Sequence, residues 1–582
     1  MVGRGSSLPA GVPAAAQGCR TTRARGRVRV PTPPLPAIQP VILLLGLLLL
    51  VLAPLVPLGS GLGSPATAAD GVVRRAAAQD TEPLQITIDS LTPSTLPRSA
   101  GPDTQIRLSG TVTNVDDTTW QRVNLYPIIS SAPLTTAPEL AAAMESDPLA
   151  PVGNRITDPG PYGFIQELAP GASSAYSITI PRSRLGTLSD GVYWFGVHAL
   201  GESEDGRDEN ADGRARTFLP VIDDGVAERR RRDPLPVSVV VPLRHRIVYA
   251  ADGSLARVAS WTEALSAGGE LDQLVRMAAS EPGGLTWLVD PAVLDAVAKL
   301  AAGNPPRSLT DTAADGDSGD ANGSGSDAGS DTSSDAPTPS PDAGETSDLS
   351  PTVAAAAKAA RSWLPRALEA LSSAAEVMAL PYGDVDLAGA ASHDPTLYDR
   401  ARKLSQTSMS GYGLQAVPAI GSPAGYLTKD VLRLLGPGDA VLATDQLIRR
   451  STDADPARPL PDVVDLGDSR VVLTSAAAAA GGPAPGDPLS DVGVRQRLLS
   501  EAALRLIAPG PVRPLVVQLP TDWGPQAAQA FRAGLDTPIT SLVGVAQVQR
   551  TQTPVSIPLR DRKSTRLNSS HRCISYAVFC LK

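Results

Sequence analysis

The chain has few of the side chains from which thiol and metal centres are built. All of its cysteines and histidines are Cys19, Cys573, Cys580, His198, His245, His393 and His571. Residues 69–560 therefore contain no cysteine, which excludes disulfides, thiol catalysis and zinc–thiolate sites there. So few histidines argue against a multi-histidine metal centre. We expect no cofactor.

Several catalytic and binding motifs are also missing. G-x-S-x-G is absent, and no glycine-rich phosphate loop follows any apolar run. The Asp pair and the H-x-x-x-H motif of metal-dependent deacetylases are absent too. The formal net charge is −9, and it is more negative still without the basic residues at both termini. An acidic surface repels phosphate backbones, so we expect no nucleic-acid partner.

The N-terminus has the pattern of an export signal. Six arginines and no acidic residue precede an almost uninterrupted apolar run at residues 40–59. Positive charge before such a run keeps the N-terminus inside and sends the following chain outward. Ala66-Thr67-Ala68 is a suitable cleavage site. Residues 1–68 are thus interpreted as a signal peptide or an uncleaved signal anchor, with a linker at 69–82. The predicted location is the extracytoplasmic face of the cell membrane.

The last 22 residues, 561–582, have a different origin in our interpretation. DRKSTRLNSSH and ISYAVFCLK back-translate naturally to a sequencing-library adapter, and the segment holds two of the six lysines. We therefore expect this tail to be non-native and the true C-terminus to be missing, so that the chain is a fragment.

Residues 83–222 are predicted to form an immunoglobulin-like β-sandwich. Runs such as QIRLSGTVTN and SSAYSITIP alternate apolar and polar residues, and Gly, Pro, Asn and Asp clusters separate them. Tyr193 in GVYWFGV resembles the tyrosine that pins a corner of such sandwiches. Trp120 and Trp194 are more simply explained as packing residues than as ligand platforms.

One loop of this region has a weak calcium pattern. Asp208, Asn210 and Asp212 fit D-x-N-x-D-G, the first half of a calcium loop. Its twelfth position is Leu219 instead of a bidentate glutamate. A solvated acidic hairpin loop is therefore the favoured interpretation.

After a linker at 223–236, residues 237–550 are predicted to be α/β. Short apolar runs, from VSVVVPL to SLVGVAQV, alternate with Ala/Leu-rich helical segments. This pattern favours a parallel sheet covered by helices, as a (β/α) barrel or a seven-stranded relative. The alternative is an open doubly wound α/β sheet. Residues 303–351 have almost no apolar side chains and are interpreted as a disordered acidic insertion.

The C-terminal ends of barrel strands carry the candidate site residues. Catalytic candidates are Asp290, Asp384, Asp386 and Asp445, and ligand-binding candidates are Tyr382, Asp522 and Trp523. Carboxylates with aromatic neighbours suit glycosidic hydrolysis, in which one carboxyl is the acid and another the base or nucleophile. For each aspartate alone, helix capping is the simpler explanation. Two carboxyls converging across a cleft would favour an enzyme, and capping would oppose it.

The combined motifs resemble a known family. A signal segment, a β region ending in GRARTFLPVI, then VVVPL, LTWLVDPAVLDAV and ALPYGDVDLAG are similar to exported actinobacterial envelope proteins classed as a domain of unknown function. The resemblance implies a further β domain, which residues 551–560 with PVSIPL at 554–559 would open, and a C-terminal transmembrane helix. It also implies genes that lie beside that of the lipid II flippase.

From this we expect a membrane-associated envelope protein that acts as a binding or scaffold protein linked to cell-wall assembly. Its expected partners are the membrane, through the N-terminal segment and a lost C-terminal helix, and cell-wall glycan or its export machinery. The alternative function is a carbohydrate-active hydrolase or deacetylase that uses the strand-end aspartates.

Overall fold

The computed structural model describes residues 82–143, 146–157, 160–223, 225, 234–279, 283–307, 349–422, 427–436, 438–452, 460–479, 489–521 and 523–559. All of them belong to one compact unit, residues 80–582. The expectations for 1–68, for most of the insertion and for 561–582 fall outside the described residues. No helix among the described residues is long and apolar enough to cross a membrane.

The first part of the unit, called the β part, is built from two sheets. Its strands are β1 (Leu84–Ile86), β2 (Ser90–Thr92), β3 (Leu96–Pro97), β4 (Gln105–Asn114), β5 (Trp120–Ile129), β6 (Asn154–Arg155), β7 (Gly163–Leu168), β8 (Ser173–Pro181), β9 (Gly191–Glu202) and β10 (Gly213–Ile222). In one sheet β4 pairs with β1, β2 and β8. The other has the order β3-β10-β9-β5-β6, with β7 also pairing with β5. A short helix, α1 (Ala137–Ala142), follows β5.

Sequence alternation explains why these two sheets share a core. Along β4 every second side chain is buried, as QIRLSGTVTN predicts, and β8 alternates in the same way. The buried side chains of both sheets form one cluster, which includes Leu108, Ile178 and Val197. The hydroxyl of Tyr193 accepts a hydrogen bond from Ser189 N at 2.9 Å, four residues upstream. That contact ties the start of β9 to the preceding turn.

The second part, called the α/β part, has ten strands in one sheet. They are β11 (Leu235–Leu243), β12 (Leu285–Val289), β13 (Glu376–Ala379), β14 (Val417–Ser422), β15 (Ala440–Thr444), β16 (Val463–Leu466), β17 (Ser469–Thr474), β18 (Leu515–Gln518), β19 (Thr540–Leu542) and β20 (Val555–Ser556). The order is β18-β11-β12-β13-β14-β15-β17-β16-β20, and β19 also pairs with β11. From β18 to β17 all neighbours are parallel.

Helices connect most of these strands. They are α2 (Val258–Leu265), α3 (Glu270–Ala279), α4 (Pro291–Ala301), α5 (Pro351–Ser372), α6 (Leu387–His393), α7 (Thr396–Gly411), α8 (Lys429–Leu434), α9 (Asp445–Ser451), α10 (Asp491–Ile507), α11 (Ala528–Ala533) and α12 (Val545–Thr551). The protein is therefore a mixed α/β protein with several sheets.

The described strands do not close into a barrel, which corrects the first expectation. β16 pairs antiparallel with β17 and occupies the edge where β18 would have to pair. Only beyond Thr474 does a backbone hydrogen bond, from Ser475 N to Val516 O at 2.9 Å, join the two ends of the parallel series. The hairpin of β16 and β17 thus prevents β17 from pairing with β18, and the sheet stays open.

The two faces of this sheet have different neighbours. On one face, side chains such as Val239, Trp287 and Val517 pack in a cluster with α2–α5 and α10. On the other face, one side chain from each of seven parallel strands joins a cluster with little helical contribution, which is the pattern of a strongly curved sheet. These inner residues are Val240, Leu288, Met378, Ala419, Leu442, Val472 and Val516.

One chain segment differs from the sequence-based expectation. The apolar run SLVGVAQV, predicted as one strand, divides at Gly544 into β19 and α12. Further along the chain, β20 pairs with β16 in the α/β sheet, Val555 opposite Val464. That residues 551–560 open a further β domain stays a prediction.

Helix α10 joins the two parts. All but a few of its side chains are buried, including polar ones, and it packs against β10 and β9 of the β part. Arg495 Nη2 donates to Leu91 O at 2.9 Å. Gln496 Nε2 donates to Ser94 O at 2.8 Å and to Phe218 O at 2.9 Å. These bonds satisfy backbone carbonyls of the β part from within the α/β part.

Candidate functional site

The carboxyl ends of β11, β12 and β13 meet at one sheet edge. Since the three strands are parallel neighbours, the residues that follow them lie side by side. Arg244 follows β11, Asp290 follows β12, and Tyr382 and Asp384 lie in the loop after β13. We call these four residues the carboxyl-edge site.

Asp290 is the most deeply buried member of the site, with 4 % of its surface exposed. It is the N-cap of α4, and its Oδ1 accepts from Ala292 N at 3.0 Å and from Gly383 N at 2.9 Å. Burial, reinforced by the negative charge of Asp384, raises its pKa to about 7, while the two amides and Arg244 oppose the rise. The carboxyl is therefore divided between its two forms at neutral pH.

Asp384 is paired with Arg244, a residue 140 positions away in the sequence. The Nε of Arg244 lies 3.3 Å from Oδ2 of Asp384, and its Nη2 donates to Gly421 O at 2.7 Å. Asp384 has a φ of 48°, in the left-handed region that few residues other than glycine adopt. Desolvation raises the pKa of Asp384 and the Arg244 charge opposes this, but the side chain is 44 % exposed, so solvent limits the shift.

Tyr382 lies beside a hydroxyl cluster on α4 and α7. Asp295 Oδ1 accepts from Ser408 Oγ and from Tyr412 Oη, each at 3.0 Å. Burial and the charge of Asp295 raise the pKa of Tyr382 above its ordinary value, so its hydroxyl stays protonated.

Asp386 and Asp445 accept hydrogen bonds from backbone amides, Asp386 within its own loop and Asp445 also from the segment after β17. Asp386 accepts from Ala388 N at 3.0 Å and from Gly389 N at 3.1 Å, which starts α6. Asp445 accepts from Gln446 N at 2.9 Å and from Ala476 N at 3.0 Å. Of the four candidate aspartates, Asp384 is the one whose charge helps to raise the pKa of another, Asp290.

The part of this sheet edge between β11 and β18 is tightly packed. A cavity of about 10 Å³ lies between Arg244, Glu270, Thr521 and Trp523, and it has room for roughly one water molecule. Trp523 is buried, with its Nε1 donating to Asp491 Oδ1 at 3.0 Å. Asp522, the other ligand-binding candidate here, lies outside the described residues.

His245 and the calcium candidates have local partners. The His245 ring lies 4.3 Å from the Trp261 ring, and burial lowers its pKa. Asp208 accepts from the amide and the side chain of Asn210, while Asp212 accepts from Gly201 N at 2.7 Å. Within the described part of the chain, no three His, Cys, Asp or Glu side chains are grouped as metal ligands would be.

Sequence reasoning missed Arg244, Glu270 and Gln518. Arg244 directly follows the apolar run VVVPL, a position that could have flagged it. Glu270 begins α3, and burial raises its pKa. Gln518 ends β18 with a buried Nε2 that has no hydrogen-bond partner in the described residues. No local pattern distinguishes the last two.

The fold and the site together define a mixed α/β protein with a polar, partly ion-paired sheet edge. A family model described as "Family of unknown function (DUF6049)" matches residues 38–425, more than half of the chain, and the chain belongs to that family. The search of curated proteins found no match.

Solved structures give only distant likenesses. A β-glucosidase from Listeria innocua in complex with glucose has 11 % identity and a TM-score of 0.15, over 24 % of this chain and 16 % of that one. A cycloisomaltooligosaccharide glucanotransferase from Paenibacillus sp. has 11 % identity and a TM-score of 0.16, over 36 % and 21 %. β-Glucosidase 3B from Thermotoga neapolitana has 13 % identity and a TM-score of 0.14, over 23 % and 15 %. At such scores these likenesses carry no argument.

Proposed function

We propose that the protein is an extracytoplasmic, membrane-associated component of the cell envelope that acts as a binding or scaffold protein in cell-wall assembly. Its proposed partners are the membrane and cell-wall glycan or its export machinery. The leader-like N-terminal sequence supports this proposal. We further propose that the β part is an immunoglobulin-like sandwich, supported by the Tyr193–Ser189 contact, and that the α/β part derives from a barrel, supported by its seven-strand inner cluster.

The observation that carries the scaffold proposal is the joint at α10. Arg495 and Gln496 donate hydrogen bonds to three carbonyls of the β part. Both residues lie on α10, which also packs in the core of the α/β part. A buried polar contact of this kind fixes one relative geometry, because any other leaves carbonyls and guanidinium unpaired. A rigid two-part body suits a protein that holds a partner in place.

The state of the carboxyl-edge site also favours binding over catalysis. Asp386 and Asp445 serve backbone amides, Asp384 is paired with Arg244, and the adjoining cavity holds about one water. A sugar substrate would need to displace these contacts before reaching two free carboxyls.

One observation supports the carbohydrate-active alternative. Asp290 has a pKa of about 7 and stands near a second carboxyl, Asp384. A carboxyl that keeps its proton at neutral pH is suited to act as a general acid. The alternative is therefore tested in the same experiment.

The test is co-sedimentation of the purified full chain with isolated cell-wall sacculi, followed by assay of the supernatant for released sugar fragments. The binding proposal expects the protein in the pellet and no fragments. Fragments that disappear in Asp290→Asn but persist in Asp386→Asn, another helix cap, would establish the alternative. Protein that neither sediments nor releases fragments would refute the glycan-binding proposal.

A further inference from the structure

Exposed aromatic side chains are uncommon in the described part of the chain. The phenylalanines, tyrosines and tryptophans that are exposed there are Tyr162, Phe164 and Tyr249. Two of these lie close together. Phe164 is on β7 with 54 % of its surface exposed, and Tyr162 directly precedes β7 with 45 % exposed. Single exposed apolar side chains are ordinary, but an adjoining aromatic pair is a candidate contact surface.

Both rings lie on the outer face of their sheet. Ile165 is buried in the core shared by the two sheets of the β part, so its neighbour Phe164 points away from that core. Phe164 lies opposite Asn124 of β5. The Tyr162 ring lies 5.9 Å from the ring of Tyr126, two residues beyond Asn124, with 33° between the ring planes. We call Tyr126, Tyr162 and Phe164 the aromatic patch.

Neighbouring side chains hold the aromatic patch in place. Tyr126 is half-buried, and its hydroxyl accepts a hydrogen bond from Asn124 Nδ2 at 3.2 Å. The ring of Tyr126 in turn supports the ring of Tyr162, since aromatic rings at this separation attract each other. A side chain that is already ordered loses less entropy when it binds a ligand. The patch is therefore arranged for binding in advance.

The polar groups that border the patch are amides. Asn124 lies beside Phe164 on the neighbouring strand. Gln166, two residues beyond Phe164 on the same face of β7, is exposed. Each amide offers a donor and an acceptor at separate atoms. Phenylalanine, tyrosine, asparagine and glutamine are uncharged side chains, so this surface matches an uncharged ligand that has hydrogen-bonding groups of its own.

The size of the patch favours a sugar over a protein. A fully buried aromatic side chain covers about 150–250 Å², so two half-exposed rings offer on the order of 200 Å². A stable protein interface covers about 800 Å² on each partner. A pyranose ring, in contrast, is similar in size to one aromatic ring. Its C–H groups are weakly positive and pack on the negative face of an aromatic ring.

The spacing of the two exposed rings favours a chain of sugars over a single one. Side chains two residues apart on a strand lie about 6.8 Å apart. One pyranose ring cannot cover both Tyr162 and Phe164 at that distance, whereas successive rings of an extended chain can.

We propose that the aromatic patch binds an uncharged stretch of a linear glycan. Successive sugar rings pack on Phe164 and Tyr162, and their polar substituents form hydrogen bonds with Asn124 and Gln166. This inference rests on the proposed glycan-binding function and gives it a site in the β part, separate from the carboxyl-edge site.

The test is isothermal titration of the full chain with chitohexaose, the linear hexamer of N-acetylglucosamine, and with the N-acetylglucosamine monomer. We expect the hexamer to bind at least about tenfold more tightly than the monomer, because it alone contacts both rings. Equal affinities for hexamer and monomer would refute the two-ring site, and a wild type that does not bind the hexamer would refute the inference.

Variants of Phe164 locate the site. Phe164→Leu keeps an apolar side chain but removes the ring, and it should weaken hexamer binding about tenfold or more, whereas Phe164→Tyr keeps the ring and should stay within about threefold of the wild type. Val555→Ala changes an exposed apolar residue of the α/β part and should have no effect. Unchanged binding in Phe164→Leu would refute the site. Since Phe164 is exposed, its variants should melt with the wild type.

Sedimentation velocity tests a second copy of the chain as the occupant. A wild-type dimer that Phe164→Leu converts to a monomer, without any binding of the hexamer, would overturn the saccharide in favour of self-association.

Sacculus co-sedimentation of the same variants separates this inference from the proposed function. Phe164→Leu that no longer binds the hexamer but sediments with sacculi like the wild type would refute the patch as the wall contact and leave the proposed function intact. A wild type that binds the hexamer but does not sediment with sacculi would refute the wall-glycan partner alone.

Discussion

Replacing Gln496 by methionine tests the joint between the β part and the α/β part. Gln496 is fully buried, and its Nε2 donates to the carbonyls of Ser94 and Phe218, while its Oε1 accepts from Arg495 Nε at 3.1 Å. Methionine keeps nearly the same volume, so the substitution removes hydrogen bonds without opening a cavity. Two carbonyls and one guanidinium N–H then lose a partner.

Each unpaired buried polar group costs about 1–3 kcal/mol, and the added apolar burial of methionine offsets part of this. We therefore expect the free energy of unfolding to fall by about 3 kcal/mol. Urea unfolding of the full chain, followed by tryptophan fluorescence and by circular dichroism, measures this change. Since the joint couples the two parts, the wild type should unfold in one transition and Gln496→Met should separate the two signals.

The matched control is Gln273→Met. Gln273 also donates to a distant carbonyl, Gln526 O at 2.9 Å, but that bond is accessible to solvent. Water can replace it, so the change should stay within about 0.5 kcal/mol. A loss below about 1 kcal/mol for Gln496→Met, with coincident transitions, would show that the joint does not depend on these bonds.

Three further outcomes are expected from the buried titrating groups and from the inner sheet face. Because burial raises the pKa of Asp290 to about 7, its protonated form stabilises the fold below pH 4, and this contribution disappears as pH rises to 7. The free energy of unfolding of Asp290→Asn, measured in urea between pH 4 and pH 7, should lack that decline. A decline equal to that of the wild type would contradict the role of Asp290. Burial and neighbouring arginines lower the pKa of His198 to about 4, so stability should be lost as pH falls from 6.5 to 4, by roughly 3 kcal/mol. His198→Gln should remove that acid dependence, and an unchanged profile would argue against it. A Cβ on Gly421 would lie 2.7 Å from Leu288 Cδ2, so Gly421→Ala should destabilise by about 1–3 kcal/mol, whereas Gly411→Ala, with open space around it, should not. Equal melting temperatures for these two variants would refute the close inner packing.

The sequence predicted local structure better than strand partnerships. Alternation located β4 and β8, and apolar runs located β11, β12 and β18, because each pattern depends on neighbouring residues. No such pattern marked β16, a four-residue strand that follows prolines and an aspartate. Its pairing with β17 decides that the ladder stays open, so one short unpredicted strand changed the architecture.

At the candidate site, too, the sequence predicted local features but not contacts between distant residues. That Asp290 and Asp386 follow strands and precede helices is visible in the sequence, and both are helix caps. The pairing of Arg244 with Asp384 is not visible, since it joins residues far apart in the chain. The raised pKa of Asp290 depends on burial, which only the packed structure provides.

The position of the joining helix α10 near the C-terminal end has a consequence for synthesis. The hydrogen-bond donors to the carbonyls of Leu91 and Ser94 are Arg495 and Gln496, which lie 404 and 402 residues later in the chain. At about 5–20 residues per second, a ribosome needs roughly 20–80 s to supply them. Throughout that interval the nascent β part exposes the surface on β9 and β10 that α10 later covers. Docking is therefore a late event of biogenesis, and premature termination before residue 491 leaves that surface uncovered.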